Sequence, residues 1–547
     1  MNILNHLIKK LEATLTEFDI YENIELRISN VLEFDLQINN LVKYQKAEKI
    51  NELVNKFKKI LEENKRIKNY EITEKFFINI DLNIELFLDE FENISEIIKS
   101  DKKEKIILDY GGPNIGKPLH VGHLRSLNIG RSLYRINKAA GNEVVSDIHL
   151  GDWGMPIAQI LTYCKKNSID IEKLTIDKLV DVYPKASSLY ENDKSFQEKA
   201  REINLSLNNG DKNTLKKWKN IKTLSLNSIK DTLKKLDHNF DLWLGESDVN
   251  SIIPKMLDDL KKNKKISDDD GALVSNLESD PKILITKSDG SYLYLTTDLA
   301  TVLYRLKYHN FDKTLYIVDN RQAFHFKQLF DSIKFFGFDE KNFEHVSFGT
   351  VNDTSGNPLK TRAGGTKALN ELFEDTCKYI NKINKELPHK NLEILANTVL
   401  TYSDLISNRK TDYKFDLKKF TNINGKTGIY VQYAQVRANK IFTDSGLQKK
   451  DLELDPSCLD VEDIELLKCL ILFELYFNQS LINNEPHHIA DYLFQISSLF
   501  NKMYQSENIL NNENENKKLN KLLISNYFIK YSNMTMDLLG IQPVPKM

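Results

Sequence analysis

The sequence predicts a protein of three parts. An α+β unit covers 1–97, an α/β unit with a parallel sheet and helical insertions covers 98–395, and an all-helical unit covers 396–547. Three observations carry this reading. A strand–turn–helix–strand pattern fills 105–154, a second apolar strand lies far downstream at Leu315-Tyr316-Ile317-Val318, and from about 396 onward apolar residues recur almost wholly at helical spacing.

The pattern at 105–154 organises the rest. Ile106-Ile107-Leu108 is a short buried strand, and Gly111-Gly112-Pro113-Asn114 to Gly116-Lys117-Pro118 is a turn. Ile129, Leu133, Ile136 and Ala140 then recur at spacings of four, three and four, Gly141 stops that helix, and Val144-Val145 with Ile148 begins the next strand. The loop chemistry therefore falls at the carboxyl end of the first strand, where open α/β sheets bind ligands. His120-Val121-Gly122-His123 stands at the helix start, where backbone N–H groups and the helix dipole favour an anion. Gly122 leaves room for a flat ring against the backbone. A nucleotide fits this pattern better than two ordinary turn histidines do, because strand, helix and clustered glycines agree.

Bulk properties bound the rest. At 547 residues, with 41% hydrophobic and 28% charged, the chain has room for about three ordinary globular domains. A net charge of −2 excludes a global basic field, so any nucleic acid must meet a local positive face. Cys164, Cys377, Cys458 and Cys469 form no CxxC pair, which argues against a zinc centre or a disulfide framework and for a reducing cytoplasm. Charges break the first residues too early for a signal peptide, and the most apolar window, 466–477, holds Lys468 and Glu474 and is too short to span a bilayer.

DYGGPNIGKPLHVGHLRS followed by HLGDWG resembles the catalytic start of a class I aminoacyl-tRNA synthetase, specifically the arginyl-tRNA synthetase family. The resemblance implies a Rossmann-like class I synthetase catalytic domain, an N-terminal domain that contacts the outer corner of the tRNA, and a C-terminal anticodon-binding domain. It also implies the reaction: ATP and arginine give arginyl-adenylate and pyrophosphate, and arginine then passes to the terminal adenosine of tRNA(Arg). ATP with Mg²⁺, arginine and tRNA(Arg) are the implied partners, and enzymes of this family generally need tRNA present to activate arginine. A monomer in the cytoplasm, with no membrane contact, completes the expectation.

In the first unit, Leu4, Leu7, Leu11, Leu15 and Phe18 make a helical stripe, 46–63 forms an amphipathic helix and Phe76-Phe77-Ile78-Asn79-Ile80 a strand. After the tight turn Gly151-Asp152-Trp153-Gly154 the family pattern usually continues Thr-Gln-Phe-Gly, whereas this chain has Met155-Pro156-Ile157-Ala158-Gln159. A mostly helical insertion occupies 165–245. Its lysines, from Lys216 to Lys235, lie opposite an apolar stripe of Leu215, Trp218, Leu226, Ile229, Leu233 and Leu236, as on a solvated face.

Gly245-Glu246-Ser247 resembles the family's GES segment, whose glutamate faces the substrate guanidinium. A planar, permanently charged guanidinium requires carboxylates that accept paired hydrogen bonds. The alternation in Tyr292-Leu293-Tyr294-Leu295-Thr296-Thr297-Asp298 predicts a strand running into a helix, with Asp298 near its N-cap. By resemblance, Asp109, Asn114, Glu246, Tyr294, Asp298 and Gln322 bind arginine. His120 and His123 are catalytic and, with Gly122, bind ATP. His325 beside Gln322 reads equally well as a helix residue.

Class I enzymes commonly carry KMSKS on a mobile phosphate loop. This chain has Lys360-Thr361-Arg362-Ala363-Gly364-Gly365, a variant that resembles many arginyl-tRNA synthetases. Lys360 and Arg362 are expected to hold the leaving pyrophosphate, with Thr361 beside them on the ATP. In the helical unit, Gly428 to Ala438 resembles the anticodon-binding domain. Tyr433 and Arg437, four apart on one face, are expected to meet tRNA, although core packing of Tyr433 is an equal alternative. No metal ligands are expected: His487 and His488 open a helix after Pro486 and should face different directions.

Two other classes fit parts of the chain. A synthetase-like protein that binds tRNA without charging it would not require intact HVGH, Glu246, Asp298 and KTR. Nucleotidyltransferases with HxGH are usually far shorter and lack a helical C-terminal unit.

Overall fold

The computed structural model describes residues 5–31, 33–92, 103–338, 341–357, 367–449 and 452–547. The central sheet has four parallel strands in the order Asn342–His345, Lys313–Ile317, Lys105–Tyr110, Glu143–Asp147. Its register runs Lys313 against Ile106 and Asn342, and Lys105 against Glu143. Ile107, Leu108, Tyr110, Leu315 and Ile317 are buried, as a sheet covered on both faces requires.

The helix after the first strand, Val121–Ala139, crosses to the neighbouring parallel strand. Its expected apolar stripe of Ile129, Leu133 and Ile136 is buried. The opposite face is buried too, and it is polar. Arg125 donates to Thr411 O at 2.7 Å and pairs with Asp404 at 3.2 Å; Arg131 donates to Leu236 O and Thr401 Oγ1, both at 2.8 Å; Ser132 donates to Leu538 O at 2.9 Å. Gly130 is needed where the helix crosses the strand, because a Cβ there would stand 2.2 Å from the Tyr110 ring.

Three helices, Ile176–Asn192, Lys194–Asn208 and Lys212–Lys235, lie within the segment 165–245, preceded by Met155–Lys166. The chain then returns to the sheet. Leu242 N donates to Ser146 O at 2.9 Å, and Leu150 N to Leu244 O at 2.8 Å. A small antiparallel sheet, Ile266–Asp269, Ala272–Ser275 and Leu284–Thr286, follows and was not anticipated.

The first unit is α+β. Helices Asn5–Thr16 and Ile50–Glu63 accompany an antiparallel sheet ordered Leu26–Ile28, Leu36–Ile38, Ile78–Leu82, Ile67–Ile72. Leu7, Leu11 and Leu15 are buried, whereas Leu4 lies outside the described residues. This unit packs on the C-terminal helices: Lys468 meets Asp35 at 3.0 Å and also Asp81, and Phe91 stacks on Tyr527 at 5.0 Å.

The division expected at 395/396 falls inside one helix, His389–Leu405. Leu392, Leu395, Ala396, Val399 and Leu400 are all buried along it, so packing keeps the helix continuous across that point. Tyr413–Lys414 even pairs in parallel with Val351–Asn352. Beyond it the chain is helical to Leu539, with Gly428–Asp444, His487–Ser506 and Glu515–Leu539 packed together.

Candidate active site

The two signature histidines are fixed by the helix start itself. His120 is the N-cap of Val121–Ala139, and its Nδ1 accepts from Gly122 N at 3.1 Å, while His123 Nδ1 accepts from His120 N at 3.1 Å. Each imidazole thereby satisfies a backbone donor that a helix start leaves unpaired. An Nδ1 that accepts places the ring proton on Nε2, so His120 presents an Nε2–H donor, while His123 Nδ1 also lies 3.3 Å from His120 O. Burial holds both below the ordinary histidine range, His123 down to about 3, so at neutral pH they are uncharged donors. The ring expected over Gly122 is His120's own: a Cβ on Gly122 would lie 2.8 Å from that imidazole. The two rings stand 4.0 Å apart.

The chain after the phosphate-loop segment is tied to this turn. Val121 N donates to Lys367 O at 3.1 Å, Leu369 N to Leu119 O at 2.9 Å, and His120 pairs with Ala368. Lys360, Thr361 and Arg362 lie outside the described residues.

The GDWG and GES turns lock together. Asp152 accepts from Ser247 N at 2.9 Å and Ser247 Oγ at 2.6 Å, Lys222 pairs with it at 2.5 Å, and Trp218 Nε1 donates to its carbonyl at 2.7 Å. A Cβ on Gly245 would stand 2.7 Å from the Asp152 carboxyl, and one on Gly151 only 1.9 Å from Asn114 Oδ1. These glycines are the room in which Asp152 and Asn114 sit.

Glu246 follows, half-buried, at the first position of the short helix Glu246–Val249. Its carboxyl is pushed up to about 8, first by burial, then by Asp298 and Asp152; the Trp153 backbone N–H opposes this. Among the described residues no lysine, arginine or histidine pairs with it. Tyr294 lines the same cavity of about 320 Å³, with Trp153, Met155, Pro156, Asn204, Tyr292 and Thr297. Met155 and Pro156, the departure after GDWG, thus form cavity wall.

Asp298 is not a cap. The helix is Tyr294–His309 with Leu293 at its N-cap, and Tyr292 makes only an isolated bridge to Thr286, so the strand expected here is absent. Over so few residues, Tyr-Leu-Tyr-Leu alternates equally well through a first helical turn. Thr297 Oγ1 donates back to Tyr294 O at 2.8 Å and Thr296 Oγ1 to Ile285 O, leaving Asp298 free of capping. Its Oδ2 lies 2.6 Å from His325 Nε2, a partner that gave no distinctive sequence signal.

Asp109 differs from expectation. Arg305, wholly buried, reaches Asp109 at 2.6 Å and Asp147 at 2.7 Å, so an internal guanidinium occupies the carboxylate assigned to substrate. Arg305 and Asp147 were missed; an arginine in an otherwise apolar helix face was the available signal. Asn114 and Gln322 are exposed, Asn114 beside Gly151 and Gln322 at the start of Ala323–Phe336. Tyr433 and Arg437 do come together, but on each other: Arg437 lies 4.0 Å over the Tyr433 ring, donates to its hydroxyl at 2.8 Å, and donates to Asn501 at 3.0 Å.

Known proteins share this arrangement. Residues 85–417 match the family model of the class I (R) tRNA synthetase catalytic domain, and 431–547 match the DALR anticodon binding domain. The arginine–tRNA ligase of Francisella tularensis subsp. novicida is 34% identical over 505 residues, covering 86% of each chain. That of Alkaliphilus oremlandii is 34% identical over 527, covering 88% of this chain and 89% of its own. Arginyl-tRNA synthetase of Thermus thermophilus has the same fold, with a TM-score of 0.83 at 19% identity over 100% of both chains. That of Plasmodium falciparum gives 0.82 at 23%, over 100% of this chain and 99% of its own. With its own histidine-capped helix, its interlocked GDWG and GES turns and relatives matched along most of their length, the chain belongs to the class I arginyl-tRNA synthetases, the ATP-using arginine–tRNA ligases.

Proposed function

We propose that Glu246 and Asp298, with Tyr294, Asn114 and Gln322, bind the arginine substrate, and that the two imidazoles of His120 and His123 act on ATP. The observation that carries the pocket is Glu246 itself. A carboxyl pushed up to about 8 first by burial and then by two neighbouring carboxylates, with no lysine, arginine or histidine paired to it among the described residues, is a site that favours a cation. A guanidinium between Glu246 and Asp298 would relieve that repulsion and satisfy both. Asp109 contributes by holding Arg305 in place rather than by touching substrate.

Little covalent work falls to the protein. Arginine's carboxylate attacks the α-phosphate in line and pyrophosphate leaves; the hydroxyl of the tRNA's terminal adenosine then attacks the adenylate's carbonyl, losing its proton, and AMP leaves. His120 and His123 donate Nε2–H to phosphate oxygens as charge builds there, and being neutral they need shed no proton first. Gly122 serves by keeping His120 in position. Lys360 and Arg362, with Thr361, hold the departing pyrophosphate; the ties of Lys367 to Val121 and of Leu369 to Leu119, on either side of His120, support this reading. Magnesium enters on the phosphates of ATP, since imidazoles suit it poorly and Asp109 and Asp147 are engaged by Arg305.

Residues 1–97 and the helices beyond 396 are proposed to contact tRNA(Arg), from a monomer in the cytoplasm. No described helix is long and apolar enough to cross a membrane. Arg437, already engaged by Tyr433 and Asn501, would present its tyrosine sandwich rather than a free cation to tRNA. ATP–pyrophosphate exchange across the twenty amino acids, with and without total tRNA, tests the reading on wild type and Asp298→Ala. Exchange only with arginine, in the presence of tRNA and lost in the variant, is expected. Exchange with another amino acid would overturn the pocket, and no exchange at all would favour a tRNA binder without charging activity.

A further inference from the structure

A second convergence of titratable side chains lies far from the HVGH turn, between helices Phe473–Asn483 and His487–Ser506. Neighbouring helix positions ordinarily diverge by about 100°, which argued against joint ligation by His487 and His488. The two residues open the helix His487–Ser506 after Pro486, yet their side chains converge, with the rings 4.1 Å apart at 34°. Both face Glu485. His488 Nε2 is 3.4 Å and His487 Nδ1 4.0 Å from Glu485 Oε2, and the three ligand atoms all lie within 4.8 Å of one another.

These separations discriminate between two readings. An imidazole hydrogen-bonded to a carboxylate sits at about 2.7–2.9 Å, and neither histidine does. His487 Nδ1 is buried and has no hydrogen-bond partner at all. Ligand atoms around a tetrahedral ion with bonds of about 2.0–2.2 Å stand roughly 3.3–3.5 Å apart. The His488–Glu485 separation already meets that, the His487–Glu485 one needs a shift of about half an ångström, and the two imidazole nitrogens, within 4.8 Å of each other, close by small χ adjustments.

The surrounding charges leave the position open. Lys410 Nζ takes the other oxygen, Glu485 Oε1, at 3.1 Å. Arg409 is turned to carbonyls, those of Asn484 at 2.8 Å, Ser347 at 2.5 Å and Asn483 at 3.4 Å. The side chain of His488 is 24% exposed, giving a path to solvent. The other group of possible ligands, Asp109, Asp147 and His149, is already occupied by Arg305.

We propose that Glu485, His487 and His488 form a divalent transition-metal site, with water as the fourth ligand. Two imidazoles and a carboxylate with an open position suit zinc, whereas calcium and magnesium take oxygen ligands. The ion would brace the turn 484–488 where Arg409 and the Asn484–Glu344 hydrogen bond of 2.8 Å already join it to the catalytic unit. This does not depend on the arginine pocket.

The test uses the untagged full chain, stripped with chelator, titrated with Zn²⁺ against a chromophoric indicator and with Co²⁺ by its visible absorption. One equivalent is expected, with Kd at or below about 1 µM for zinc and intense bands of four-coordinate cobalt. His488→Gln, at a part-exposed position, should fold with unchanged circular dichroism and weaken binding at least about tenfold; Glu485→Gln should do the same. No binding below about 100 µM, or wild-type binding retained in both variants, would overturn the site.

Discussion

Glu246 makes arginine recognition dependent on pH in a direction that can be worked out. Burial, Asp298 and Asp152 together push its carboxyl up to about 8, from an ordinary 4.5. Lys222 does not relieve it, being spent on Asp152 at 2.5 Å, and His325 faces Asp298 instead. A guanidinium stays charged throughout and binds the ionised carboxylate, so below the pocket's pKa each binding event must expel a proton. Between pH 8 and pH 6 the dissociation constant should then rise about fiftyfold, or about 2.3 kcal/mol, the slope reaching about tenfold per unit toward the acid end. Glu246 and Asp298 interact, so the midpoint belongs to the pair rather than to either residue. The cleanest reading is the Ki of agmatine, which carries the guanidinium without the α-carboxylate, measured from pH 6 to 9. The wild type should weaken toward acid, and Glu246→Gln should bind poorly with a flat profile. A flat wild-type profile, or an unchanged slope in the variant, would refute the reasoning.

Three further outcomes follow from the same geometry. Glu246→Gln should raise the melting temperature of the free protein by about 2 °C at pH 8.5 and less at pH 5. The sign comes from the raised folded-state pKa, because stability is present below the unfolded value near 4.5 and is lost as pH climbs through about 8. Gly151→Ala puts a Cβ 1.9 Å from Asn114 Oδ1; displacing that amide should cost about 1–3 kcal/mol, read as a raised KM for arginine with ATP affinity kept. Arg305→Met leaves Asp109 and Asp147 buried without their partner, and chemical denaturation should show a loss of about 3–5 kcal/mol.

What the sequence revealed and what it hid divide along contact distance. His120 and His123 were legible because strand, turn, cap and helix lie within one short segment, and the reciprocal capping is local. Asp298 was singled out for the site while its partner His325 was not, since the pair spans 27 positions with no periodicity linking them. Arg305 reaches Asp109 across 196 positions and Asp147 across 158, so Asp109 read as a free carboxylate when it is half of a buried pair. The Glu485–His487–His488 convergence was rejected because neighbouring helix positions diverge, yet the side chains close that gap and bring the two rings within 4.1 Å.

The signature helix shows the same division in energetic form. Its apolar stripe was readable and accounts for packing on the sheet. Arg125, Asn128, Arg131 and Ser132 carried no such signal, and all are buried against Asp404, Thr401, Leu236 and Leu538. Apolar residues of like volume there could have been as stabilising, because burying charge costs desolvation that pairing only offsets. What the polar contacts add is register. Apolar faces tolerate sliding, whereas an arginine that must meet particular carbonyls on separate elements has one satisfied position. The helix whose first turn holds His120 and His123 is thereby fixed against both the insertion and the C-terminal helices, so the two imidazoles are placed before substrate arrives.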